Sequence, residues 1–252
     1  MDGFSQTAVA VFFLSLRFVP VFSFSPPFTL LRVPALIRVL LGVALALWMV
    51  ESYPELTRDR VADASLFSLG AGEALMGVVM AISLQWAFAA IFMIGRSLDI
   101  QAGFGLALLA DPTTQSQIPL IGTIMAYGGA MIFFAVGGAG DLLAIFVESV
   151  LRVPLGEANI FINPAPLIAF ISTAFIIAVG LVGLVMLVLF LIDLTVAFLS
   201  RTLPQMNVLL IGFQVKTLAI LATLPLALSL SLAAYLRLIR GALQTTVGLI
   251  PG

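Results

Sequence analysis

Few side chains in this 252-residue sequence can do chemistry. It contains no His and no Cys. That excludes thiol catalysis, Ser–His acyl transfer, Cys/His zinc sites and disulfides in one step. What remains is carboxylates in apolar surroundings: Glu73, Asp141 and Asp193. Two such acids sharing a proton could cleave a peptide bond. A lone acid inside a bilayer could instead bind a cation or relay a proton.

Each possibility has a sequence signature. Gly138-Ala139-Gly140-Asp141 spells the Gly-x-Gly-Asp of intramembrane aspartyl proteases. Asp193 is the available second carboxylate, but it follows the motif where that chemistry has its first aspartate ahead of it. The expected Pro-Ala-Leu element is also missing. A structural alternative is that Asp141 caps a helix over 142–147. An ion-coupled transporter would use Glu73 and Asp193 at interrupted helices. No inverted repeat supports it, and the polar residues are scattered.

The elements that must position these acids are unusual. Hydrophobic residues make up 62% of the chain and charged residues 9%. Soluble domains carry roughly 25% charged residues. Composition therefore points to an all-α membrane protein. With a net charge of −1 and no basic cluster, nothing invites nucleic acid. The N-terminus, MDGFSQTAVAVFF, is acidic and lacks a cleavage site, so it is expected to be retained.

A bilayer core of about 30 Å takes about 20 helical residues. Six apolar segments approach or exceed that: 7–24, 33–50, 66–94, 118–147, 167–199 and 208–236. Pro26-Pro27, the polar stretch ESYPELTRDRVAD, Pro112, Pro119, Asn163–Pro166 and Pro204–Asn207 punctuate them. Basic residues do not fix an orientation. Arg58, Arg60, Arg152, Arg237 and Arg240 would face one side, and Arg32, Arg38, Arg96 and Arg201 the other. Two segments are longer than a bilayer requires, so they tilt or continue into protein.

Arg17, Arg38, Glu73, Asp193 and Lys216 lie in or near these segments. An unpaired charge at mid-bilayer costs roughly 2.5–3.5 kcal/mol. Pairing, snorkelling or removal from lipid is therefore expected. Asp193 and Lys216 are equidistant from a turn at Pro204-Gln205, which puts them at one height on antiparallel helices. They can form an ion pair there, or each can snorkel separately. Arg17 and Arg38 mirror each other about Pro27-Phe28 and would repel. They need an acid from elsewhere, with Glu73 or a neighbouring subunit as candidates. Glycines at 128, 129, 137, 138, 140, 180 and 183 permit close helix approach, within the chain or between subunits.

One loop is out of character. GRSLDIQAGFGLALLADP, at 95–112, is too long for a tight turn and too apolar for a wet one. The segment 95–117 is read as a loop that packs against apolar surfaces.

Taken in order, these stretches resemble the FliR family of bacterial flagellar biosynthesis. The virulence-secretion equivalent, SctT, is a close relative. The resemblance rests on RFVPVFSFSPPFTLLRVPALIRVLLGVALAL, GEALMGVVMAI, the Asp-Ile-Gln-Ala-Gly and later Asp-Pro of the loop, and FLIDLTVAFLSRTLPQMNVLLIGFQVK. It covers essentially the whole chain as a single domain, 1–252.

The resemblance implies a non-enzymatic structural and gating subunit of the type III export channel. Such a subunit is one copy in a hetero-oligomer with FliP and FliQ, associated with FlhB, and passes unfolded substrates. It sits in lipid in the bacterial inner membrane at the flagellar basal body. No cofactor or metal is implied. Its long kinked helical hairpins would stack with partner subunits into a helical assembly. The loop would help to plug the closed gate through Gly103, Phe104, Gly105, Leu106 and Leu109. The alternative is that the loop packs beneath its own hairpins.

Overall fold

The computed structural model describes residues 3–60, 66–104, 119–158, 164–202, 208–230 and 232–249. Among the described residues, the regular structure is helical: α1 (Gly3–Phe24), α2 (Ala35–Ser52), α3 (Leu66–Ala102), α4 (Leu120–Ala135), α5 (Gly138–Arg152), α6 (Ala165–Thr202), α7 (Val208–Leu230) and α8 (Leu232–Gly248). Two short 3-10 turns, Pro54–Leu56 and Arg58–Arg60, occupy the polar stretch after α2. Helices satisfy their backbone groups internally, which an apolar chain in lipid requires.

Among the described residues, five helices are long and apolar enough to cross a membrane, and α4 with α5 makes up to a sixth span. α3 has 37 residues and α6 has 38. At 1.5 Å per residue each is roughly 55 Å long, well beyond a ~30 Å core. Only 22% of the apolar window of α2 is buried, 28% for α6 and 22% for α7. Lipid or other protein must cover those faces.

Three boundaries differ from the sequence reading. The fourth apolar segment is not one helix. It breaks between α4 and α5 with a 69° bend, and Gly137 sits at φ 82 at the break. That left-handed conformation suits glycine, which has no Cβ to clash. Asp141 accordingly lies in the first turn of α5, beyond its N-cap Gly137. There it favours the positive helix end without capping it. The loop assigned to 95–117 starts later, because α3 continues to Ala102. The last apolar segment, 208–236, is not one helix: α7 ends at Leu230 and α8 starts at Leu232, running on through the polar Arg237, Arg240 and Gln244.

The chain forms two compact units. The first contains Met1–Phe88, Ala130–Thr173 and Ile239–Gly252. Here α2 lies tightly on α1, since a Cβ on Gly42 would come within 2.7 Å of the Val19 side chain. α3 crosses α1 at Gly77, where an added Cβ would overlap the Leu16 and Arg17 carbonyl oxygens. Phe18, Phe22, Phe28, Phe133 and Phe146 form an edge-to-face and tilted aromatic core, with Phe18 and Phe146 ring centres 4.6 Å apart. The connection after α2 is tied down by Leu155 N–H donating to Leu56 C=O at 2.9 Å and by an Arg60–Glu157 contact.

The second unit contains Ala89–Gly129 and Ala174–Leu238. α3 and α4 approach at Gly95 and Gly122 so closely that a side chain on Gly95 would overlap the Gly122 backbone. The Tyr235 hydroxyl, buried on α8, donates to the Met125 carbonyl at 3.3 Å. Among the described residues, the glycines at 128, 140, 180 and 183, which the sequence marks for close approach, meet nothing within 4 Å. Of the glycines so marked, Gly138 is crowded, by Phe133; Gly42, Gly72, Gly77, Gly95, Gly122 and Gly241 are the other close approaches.

Candidate functional site

Two charged junctions stand out, one in each unit. In the first, Arg17 on α1 and Glu73 on α3 form a fully buried bidentate pair. Arg17 Nε donates to Glu73 Oε2 at 2.6 Å and Arg17 Nη2 to Oε1 at 2.8 Å. Arg17 Nη1 donates to the carbonyls of Ser149 and Val153 at 2.9 and 3.0 Å. Those two carbonyls close the C-terminal end of α5, where a cation offsets the helix dipole. The guanidinium thus joins α1, α3 and α5, and its charge is neutralised at close range. A planar fork of donors suits this, whereas a lysine would reach only part of it.

Arg38 does not share the acid. It is half-buried and donates to the Ser23 carbonyl at the end of α1. Among the described residues, its buried Nε has no partner, nor does Ser23 Oγ. Of the five charges named from the sequence, Arg17 is therefore the one that Glu73 neutralises.

The second junction surrounds the end of α3. Lys216 on α7 contacts the Asp193 carboxylate on α6 and donates to the Gln101 carbonyl at 3.0 Å. α6 and α7 run close here, with Gly212 against Val196. Three residues before Lys216, and so on the same face of α7, Phe213 meets Phe104 edge-on at 6.3 Å between ring centres. Gly103, Asp193, Val196, Gly212, Phe213 and Lys216 line a shallow cleft.

Asp99, 6% exposed, spans the other side of the junction. Its two oxygens accept from the Ile121 and Gly122 N–H groups of α4 at 3.0 and 3.3 Å. This is a carboxylate cap on a helix N-terminus, supplied from a different helix. Gly103, at φ 85, ends α3 in a left-handed turn.

Of the proposed plug residues, Gly103 and Phe104 are at this junction. Gly105, Leu106 and Leu109 lie outside the described residues. Asp99 and Gln101 belong to the Asp-Ile-Gln-Ala-Gly motif, which by itself assigns them no partner. The signal for Asp99 is an acid about twenty residues before an apolar helix preceded by Pro119, whose side chain cannot cap it. Among the described residues, no three acidic side chains gather as a metal site. Asp193 is paired with Lys216, and Glu73 has both oxygens on Arg17.

Long helices exposing apolar faces, with Arg17 and Lys216 paired to acids on other helices, define an all-α membrane protein built to be covered by lipid or other subunits. The sequence pattern of the family described as bacterial export proteins, family 1, matches residues 8–242, and the chain belongs to that family. The flagellar biosynthetic protein FliR of Aquifex aeolicus is 28% identical over 231 residues, 89% of this chain and 88% of that protein. FliR of Escherichia coli is 28% identical over 79% of this chain and 76% of its own length. The surface presentation of antigens protein SpaR of Salmonella typhimurium is 28% identical over 85% of this chain and 77% of its own length.

Proposed function

We propose that this chain is a structural and gating subunit of the flagellar type III protein export channel. It works without catalysis, in the bacterial inner membrane at the flagellar basal body. In this reading one copy assembles with FliP and FliQ, associates with FlhB, and helps to pass unfolded flagellar proteins. The observation that carries the proposal is the family match over 8–242 together with a FliR relative aligned over 88% of its own length. The uncovered apolar faces of α2, α6 and α7 support an assembled state. The charges inside the helices support a positional role, since Arg17, Glu73, Asp193 and Lys216 are each held by partners within the chain.

The gating part of the proposal rests on the segment that leaves α3 at Gly103 and Phe104. An apolar, glycine-hinged segment can exclude water and ions and bend aside for a substrate. Deleting residues 103–109 is expected to leave the assembly intact and make it leak ions. An assembled deletion variant that stays tight would remove the gating role. A virulence-type secretion gate is the second reading, favoured by the SpaR likeness. Expression in flagellar export mutants separates the two: restored motility supports the flagellar reading, and failure with restored virulence-type secretion supports the other.

A further inference from the structure

The ion pair at Lys216 does more than join α6 to α7. Its ammonium also holds the Gln101 carbonyl, one of the last acceptors of α3 that no helical N–H satisfies. Two residues further on, the chain turns out of α3 at Gly103. Phe104 then rests on Phe213, one turn before Lys216 on α7. α7 therefore grips the exit of α3 twice, once by charge and once by an aromatic ring. Asp99 fixes the same turn of α3 to the amides of Ile121 and Gly122. Both helix ends are held by a side chain of the sign their dipoles favour: a cation at the C-terminus of α3 and an anion at the N-terminus of α4.

One group in the junction is left over. Gln101 Oε1 is buried and has no donor among the described residues. A buried acceptor without a partner favours any rearrangement that supplies one. The backbone oxygen of the same residue already holds the Lys216 ammonium. A small shift of α7 could move that ammonium between the two acceptors of Gln101.

We propose that Lys216 is a positioning residue, a displaceable clamp through which the α6–α7 hairpin sets the conformation of the chain leaving α3 at Gly103 and Phe104. Asp99 is its fixed counterpart on the α4 side. The clamp itself is a property of this chain; its use in gating rests on the export-channel reading. A partner that moves the hairpin would release the Gln101 contact and the Phe104–Phe213 contact together, because Phe213 and Lys216 share a face of α7.

Hydrogen–deuterium exchange on the assembled, detergent-solubilised protein tests it. The amides of Gly103 and Phe104 donate to the Ile100 and Asp99 carbonyls and report whether the end of α3 is held. Lys216→Met is expected to speed their exchange about tenfold, and Lys216→Arg to restore it. Exchange at Ile121 and Gly122 should change much less, because Asp99 is untouched. If Lys216→Met does not assemble, Lys216→Gln is compared in its place, since it keeps a donor and loses the charge. Unchanged exchange at Gly103 and Phe104 overturns the clamp, whatever the protein's function. Faster exchange with ion tightness and export intact keeps the clamp and removes its link to the gate. Loss of tightness with faster exchange supports both.

Discussion

Arg17 and Glu73, 56 positions apart in sequence, meet as a bidentate ion pair with 2.6 Å between Nε and Oε2 and no solvent exposure on either side chain. Buried pairs of this kind contribute little net stability compared with apolar replacements, but losing one partner strands the other charge. Glu73→Gln or Arg17→Met alone is expected to cost about 3–5 kcal/mol. The double variant Arg17→Met/Glu73→Leu should cost markedly less than the sum. Thermal unfolding of the purified assembly measures this. Additive losses would mean that the pair is not the coupled unit described.

The crossing of α1 and α3 gives a steric test. Gly77→Ala places a methyl group against the Leu16 and Arg17 backbone, which cannot give way as a side chain could. Forcing the helices apart should cost about 1–3 kcal/mol and reduce the yield of folded protein. Gly128→Ala, with nothing within 4 Å, should be close to neutral in the isolated chain. Similar losses at both positions would contradict the packing.

Asp193 and Lys216 are not equivalent partners. Asp193 is about half exposed and Lys216 is 17% exposed, so their attraction is partly screened and their coupling should be ~1 kcal/mol or less. Lys216 also holds the Gln101 carbonyl. Lys216→Met should therefore lower assembly more than Asp193→Asn does, and adding it to Asp193→Asn should still show a non-additive term. Equal single effects would remove the second role of Lys216.

Asp99→Ala uncaps two amides at the start of α4 and is expected to cost about 0.5–2 kcal/mol. Asp99→Asn retains an acceptor and should lose less. Unfolding midpoints of the two variants, compared under the same conditions, check the order. An asparagine variant as damaged as the alanine variant would indicate that charge, not hydrogen bonding, dominates the cap.

How much of this was legible in sequence depends on where each partner sits. Asp193 and Lys216 could be placed together because equal spacing from one turn fixes equal height on two helices. Arg17 in an apolar run needs an acid and Glu73 is a candidate, but nothing in the sequence chooses between Arg17 and Arg38 as its partner. That choice comes from α3 crossing α1 at Gly77, four residues after Glu73. The carbonyls of Ser149 and Val153 were invisible, because every residue has a carbonyl and only tertiary packing presents these two to Arg17. The break at Gly137 was hidden in a continuous apolar run, where composition permits a helix on either side. α8 was missed because its exposed Arg237, Arg240 and Gln244 dilute an apolar face that period, rather than average hydropathy, would have revealed.

The apolar faces of α2, α6 and α7 are left uncovered within the chain, and the export-channel proposal says that other subunits as well as lipid cover them. The most direct measurement is the native mass of the detergent-extracted protein co-expressed with its genomic neighbours. A large, discrete particle holding one copy of this chain among several copies of smaller membrane proteins is the expected result. A stable monomer or dimer that retains no partner would contradict it.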